Sequence, residues 1–121
     1  MIELEKLDVQ SLPSELTIST VTLAELAAGP HATADTQEKA RRQERLQRAE
    51  TTLEALPVDV GVVRAYGRVY AAVAQAGRKA RGRRAFDLLV AATALANDLP
   101  LYTRNPGDFA ALEDLIDVVA V

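Results

Sequence analysis

The sequence predicts an α/β fold, a parallel sheet covered by helices on both faces. Three observations lead there. Short β-branched or apolar runs alternate along the chain with longer segments of helical periodicity. The core must come almost wholly from Ala, Val and Leu, because the 121 residues include only 2 Phe and 3 Tyr and no Trp. One segment, "AFDLLVAATALAN" (residues 85–97), is apolar nearly all round, the mark of a buried helix. At this length the chain is one domain, residues 1–121, large enough to bury its own core.

The elements follow in order. "LTISTV" (16–21) is short and β-branched, with Pro13 and Ser14 just upstream, and reads as a strand. Thr22 and Glu25 have capping-box spacing, which starts a helix over "TLAELAA". "GPHATADT" is a loop, and His31 within it reads as a surface residue. From Asp35 a polar helix runs to about Leu56, with Asp35 and Glu38 as a second capping box. Its apolar positions (Ala40, Leu46, Ala49, Leu53, Leu56) form a narrow stripe, so much of it faces water. Pro57 ends it, and "PVDV" reads as a short strand. Asp59 then caps "GVVRAYGRVYAAVAQAG", where Val62, Tyr66, Val69, Tyr70 and Val73 recur at helical spacing and Gly77 stops the helix. "RKARGRR" is a basic loop. The apolar helix that follows ends at Asn97 and Asp98. "LPLYT" reads as a buried strand, "NPGD" as a turn, "FAALEDL" as a short helix and "IDVVAV" as the closing strand.

Composition narrows the chemistry. No Cys is present, which excludes disulfides and thiolate metal sites and fits a cytoplasmic location. A single His argues against a His-rich zinc site or a Ser-His-Asp triad. A formal charge of −3 gives no global pull toward nucleic acid, so any such binding needs a local basic patch. No apolar run approaches the roughly 20 residues of a membrane span.

In open parallel sheets, ligands gather at the carboxyl ends of the strands. Glu25 follows one strand and Asp108 follows another, with Thr103 and Asn105 beside it. Asp87 sits in the first turns of the apolar helix. Three carboxylates with a neutral Asn oxygen are the donor set of Mg²⁺ or Mn²⁺, ions that activate water and offset charge on phosphate oxygens. Each residue also has a purely structural reading: a capping-box partner for Glu25, a favourable charge at a helix N-terminus for Asp87, turn and cap residues for Asn105 and Asp108. The run Arg78, Lys79, Arg81, Arg83 and Arg84 lies just before Asp87 and reads either as a solvated face or as a grip on a phosphate backbone. In the polar helix, Glu38–Arg42 and Glu44–Arg48 pair at i,i+4, which favours solubility or partner contact over RNA binding. Tyr66 and Tyr70 read as core.

"ISTVTLAELAAG" and "FDLLVAATALANDLPLYTRNPGDF", in that order, resemble PIN-domain toxins of the VapC type. The resemblance covers the chain from Leu16 onward. It implies a PIN-like parallel sheet, Mg²⁺- or Mn²⁺-dependent endoribonuclease cleavage of tRNA or rRNA, a VapB-type antitoxin and a homodimer, with no membrane association. It matches the family's metal-binding acids to Glu25, Asp87 and Asp108, with Thr103 and Asn105 alongside; on this function the Arg78–Arg84 run would grip the RNA. The family also opens with an apolar strand ending in a metal-binding Asp. Here "MIELEKLDV" is not a continuous apolar run, and Asp8 lacks the preceding pattern. The expectation is therefore a first central strand that is missing or replaced by Met1–Leu7, with a natural start further upstream favoured. The alternative function is a catalytically impaired PIN-like module that binds an antitoxin or a full-length toxin subunit, with the exposed helix and the Tyr66/Val69/Val73 face as docking surfaces. A phosphoesterase acting on DNA or small phosphates ranks behind both.

Overall fold

The structure, a computed structural model, describes residues 1–3, 16–78 and 83–121. Four short strands are present among them: β1 (Thr17–Ser19), β2 (Glu54–Leu56), β3 (Leu101–Thr103) and β4 (Val118–Ala120). β1 pairs parallel with β2, and β3 parallel with β4. Ile2 joins the two pairs through single parallel bridges to Ile18 and Tyr102. The Ile2 N–H donates to the Thr17 carbonyl and the Glu3 N–H to the Tyr102 carbonyl, both at 2.9 Å. The order across the sheet is therefore β2–β1–Ile2–β3–β4, and Met1–Glu3 fill its centre. Of the expected options for Met1–Leu7, replacement holds for the first three residues; the rest of that segment, with Asp8, lies outside the described residues.

Side chains alternate across this sheet as a strand requires. Met1, Leu56 and Leu101 face one core, built with Val62, Val69 and Val73 of α3 (Val60–Gln75) and Leu88, Val90 and Ala91 of α4 (Arg83–Ala96). Ile2, Ile18, Ala55 and Tyr102 face the other, built with Leu23 and Leu26 of α1 (Thr20–Ala28) and Ala49 of α2 (Thr36–Thr52). Helices thus cover both faces, as the composition predicts.

Several boundaries differ from the sequence reading, each for a local reason. α1 is capped by Ser19, whose hydroxyl accepts from the Val21 N–H at 3.1 Å, so the helix begins two residues earlier than Thr22. That removes the capping-box role for Glu25. Asp35 caps α2 through the Gln37 N–H, but the Asp35 N–H donates to Thr33 Oγ1 and Glu38 turns to Arg41 and Arg42, so no second capping box closes. α2 ends at Thr52, and the strand after it is Glu54–Leu56 rather than "PVDV". The closing helix is a 3-10 segment, Pro106–Leu112. Val69 and Val73 are fully buried and therefore form no docking face, whereas Tyr70 is 44% exposed and is not core.

Both long apolar helices stop by one device. Gly77, at φ +71°, lets the Arg78 N–H reach the Val73 carbonyl and its own N–H reach Ala74. Asp98, at φ +54°, does the same for Leu99 and Ala94, with its own N–H on Leu95. These paired backward bonds satisfy the last carbonyls of each helix. Asp98 adopts this left-handed conformation without glycine, which Asp tolerates better than most residues. The sharp stop after α4 turns the chain directly into β3 and so fixes where β3 ends.

Candidate functional site

Parallel strands place all their carboxyl ends at one edge of the sheet, where Glu3, Ser19 and Thr103 emerge. Glu3 follows Ile2 by one residue, so its side chain shares the face of Met1 and Leu101, toward α4. It is 8% exposed, an uncommon setting for a carboxylate. The Thr103 hydroxyl donates to Glu3 Oε1 at 3.1 Å and accepts from the Asn105 N–H at 3.0 Å. The Asn105 carbonyl then accepts from the Asp108 N–H at 3.0 Å. One buried hydroxyl therefore fixes both a central-strand carboxylate and the turn that carries Asp108. Thr103 thus orients its neighbours, whereas Asn105 takes part through its backbone and no hydrogen bond from its side chain caps the 3-10 segment.

Ser19 links the same edge to α4. Its Oγ lies 3.4 Å from Thr93 Oγ1, and Thr93 donates its own proton to the Leu89 carbonyl, so Ser19 is the donor between them. Glu25 stands about a turn and a half into α1 and is exposed. Thr22, on the same turn of α1, is buried, and its hydroxyl has no hydrogen-bond partner. A buried hydroxyl without a partner is costly and uncommon, and Thr17 at the other end of β1 carries a second one.

Asp87 lies in the first turns of α4, half-buried, between exposed Phe86 and buried Leu88. Arg84 brings it to the Asp108 turn. The Arg84 guanidinium lies 3.7 Å from Asp87 Oδ2, donates to the Asp108 carbonyl, and sits 5.7 Å from the centre of the Phe109 ring. Arg78 also reaches this turn, donating to the Gly107 carbonyl at 3.2 Å. The two described ends of the basic run thus hold the "NPGD" turn. Lys79 and Arg81, and the side chain of Arg83, lie outside what the structure describes. Sequence reasoning missed two residues here. Glu3 carried no motif, and only its position one residue past a buried Ile offered a signal. Arg84 was read as one charge among five, although its i,i+3 spacing to Asp87 was visible.

The acids and hydroxyls at this edge are oxygen donors, the type that a hard divalent cation takes. Among the described residues, no three His, Cys, Asp or Glu side chains come close enough to share one ion. No helix of the described residues is long and apolar enough to cross a membrane.

A parallel sheet between two helical layers, with acids and hydroxyls at its carboxyl edge, is the arrangement of the PIN domain, and the chain belongs to that family: its model matches residues 2–115. Within it the chain is similar to Ribonuclease VapC5 of Mycobacterium tuberculosis, 36% identical over 113 residues that cover 93% of this chain and 80% of that protein. The structure resembles that of VapBC-5, a member of the VapBC family of toxin–antitoxin systems from the same organism, with a TM-score of 0.77 at 36% identity over 97% of this chain and 89% of that one. The fold is shared as well with VapBC2 of Rickettsia felis, solved bound to a DNA fragment from its promoter (TM-score 0.70, 24% identity, 88% of this chain and 75% of that one).

Proposed function

We propose that the protein is a metal-dependent endoribonuclease toxin of a toxin–antitoxin pair. The observation that carries this reading is the joining of Asp87 and the Asp108 turn through Arg84, a turn that Asn105 ties back to Thr103 and, through it, to Glu3. Support comes also from the similarity to a VapC ribonuclease and to VapBC complexes. In this reading Glu25, Asp87 and Asp108, with Glu3 from the centre of the sheet, are the candidates to hold Mg²⁺ or Mn²⁺, and since no three of them stand close enough to share one ion, they would have to move together to do so. When bound, such an ion activates water and stabilises negative charge on the phosphate. The protein's own residues prepare the edge for it. Thr103 locks the Glu3 carboxylate in one orientation and seats the Asn105–Asp108 turn. The basic run around Arg78, Lys79, Arg81, Arg83 and Arg84 draws the RNA backbone toward the acids by charge. A VapB-type antitoxin is the partner that blocks this edge, and the toxin acts as a homodimer on a tRNA- or rRNA-class substrate in the cytoplasm.

The test is RNA cleavage by the full chain with Mn²⁺, beside Asp87→Asn and an EDTA control. Loss of a directly ligating carboxylate should lower cleavage by about 100-fold or more while circular dichroism stays unchanged. Equal cleavage by Asp87→Asn rejects the assignment of Asp87. A second reading, a non-catalytic module that binds an antitoxin, draws on the lack of a three-acid group among the described residues. A folded chain that captures its antitoxin yet cleaves no RNA under any divalent ion would favour it.

A further inference from the structure

We propose that Phe86 is a stacking platform for an unpaired RNA base, and that it makes the protein select single-stranded over paired RNA. The inference rests on reading the chain as a ribonuclease. A lone apolar side chain at a surface is ordinarily of no consequence. Three features set this one apart. Phe86 is 51% exposed, and from Arg84 to Leu95 it is the only exposed residue of an otherwise enclosed helix. It belongs to neither of the two apolar cores. Among the described residues no ring or guanidinium covers its faces: Arg84 lies over Phe109 instead, and Tyr66 pairs with Tyr70. A flat π-surface is thus left open at the start of α4.

The surroundings indicate the ligand. Arg78, Lys79, Arg81, Arg83 and Arg84 directly precede Phe86 in the chain. The two described ends of that run are fixed, Arg78 on the Gly107 carbonyl and Arg84 on the Asp108 carbonyl, in a turn exposed from Arg104 to Asp108. A guanidinium carries five donors, so a bond to one carbonyl leaves others for a phosphate. An anchor for an apolar protein surface belongs among apolar neighbours, as exposed Val60, Val63 and Tyr70 do on α3. Phe86 instead stands between Arg84 and Asp87 on its own helix. A ring set among cations suits a polymer that alternates phosphates and bases: the cations take the phosphates and the ring takes a base face, the combination that binds single strands. A paired base is stacked within its helix and keeps its faces covered, whereas an unpaired base can be splayed onto an aromatic side chain. Phe86 therefore discriminates by strandedness where the cations, which meet phosphates in either form, do not.

The chain contains no Trp, so Phe86→Trp places a single fluorescent reporter at the stacking position. The full chain is titrated in EDTA, where neither metal nor cleavage enters, with a short RNA as a single strand and as a duplex with its complement. The indole emission should be quenched by the single strand and not by the duplex. Affinities come from the anisotropy of the same RNA carrying fluorescein. Phe86→Ala should bind the single strand about tenfold more weakly than the natural sequence, Phe86→Leu nearly as weakly, and Phe86→Trp within about twofold, as expected for removing or keeping one base stack. Duplex binding should be the same in all four. Strand binding that leaves the indole emission unchanged, or Phe86→Ala binding the strand as the natural sequence does, overturns the proposal and leaves a protein partner as the occupant of the ring. Failure of the underlying reading looks different. If neither the natural sequence nor any variant binds RNA at low salt, both fall. If the emission and affinities change as stated while the natural sequence cleaves no RNA with Mn²⁺, the base platform stands and the ribonuclease reading falls.

Discussion

Two stretches of this chain carry runs of charge and do different work. In α2, Glu38 pairs with Arg41 and Arg42, and Glu44 with Arg48, all within one helix. Around α4 the arginines also reach between elements: Arg84, beside Asp87 of its own helix, donates to the Asp108 carbonyl, and Arg78 donates to the Gly107 carbonyl. Pairs at i,i+3 and i,i+4 on an exposed helix contribute a few tenths of a kcal/mol and keep the helix solvated. Pairs that bridge elements hold two pieces of backbone in one arrangement. Charge density therefore marks neither a site nor a binding face; what counts is whether a side chain also reaches a second element.

The largest effect that would sharpen this contrast belongs to Glu3. It is buried, it comes from the centre of the sheet, and its partner Thr103 belongs to another strand. Glu3→Gln keeps an oxygen to accept from Thr103 and removes the negative charge. Mn²⁺ affinity and RNA cleavage should each fall about tenfold, with the melting temperature little changed. If binding and cleavage are unchanged, Glu3 is a buried strand residue satisfied by its hydroxyl, and inter-element contact alone does not identify a metal ligand.

The difference between the two stretches also explains what could be read from the sequence. The helix-paired charges of α2 were legible because a fixed spacing of three or four residues is all they need. So was the sandwich of helices around a parallel sheet, since alternation of periodicities carries it. The stops at Gly77 and at Asn97–Asp98 were legible too, because their chemistry is local. Arg84's second anchor was not, because it depends on the NPGD turn lying beside the start of α4, a contact between residues 24 apart in the chain. Glu3 was hidden for the same reason at greater range: its partner lies 100 residues away. "MIELEK" has no strand-like pattern, yet three residues suffice to bridge β1 and β3, because the backbone groups of those neighbours accept whatever chain lies between them. The errors in α1 and β2 were errors of boundary. Ser19 and Thr22 are both competent caps, and only the strand pairing of Thr17–Ser19 decides between them.

A smaller effect tests the other side of the comparison. Replacing Arg41, Arg45 and Arg48 of α2 together by Gln removes three positive charges from the most basic helix. If these charges serve the helix and not the substrate, RNA cleavage at moderate salt should change by less than about twofold. A tenfold loss would break the comparison, since α2 would then be part of the RNA-binding surface despite its internal pairing.

The smallest expected effect concerns acid. Hydrogen bonds from Arg41 and Arg42, in that order of weight, hold the Glu38 carboxyl below its ordinary value of 4.5. A carboxyl whose folded value is depressed stabilises the fold above its unfolded value, and loses that contribution as pH falls through the folded one. Glu38→Gln should therefore melt slightly lower than the natural sequence near neutral pH, with the two curves converging as the pH falls through the lowered folded value of Glu38. Glu38 is about one third exposed, so the gap should also close with added salt. A gap that survives both acid and 1 M salt, an ionic strength at which the screening length is about 3 Å, would mean that Arg42 acts through its bond to the Gly29 carbonyl, at 2.9 Å, more than through Glu38. α2 would then be tied across elements after all, to the turn that follows α1, and the line between the two kinds of charge would have to be drawn inside a single side chain.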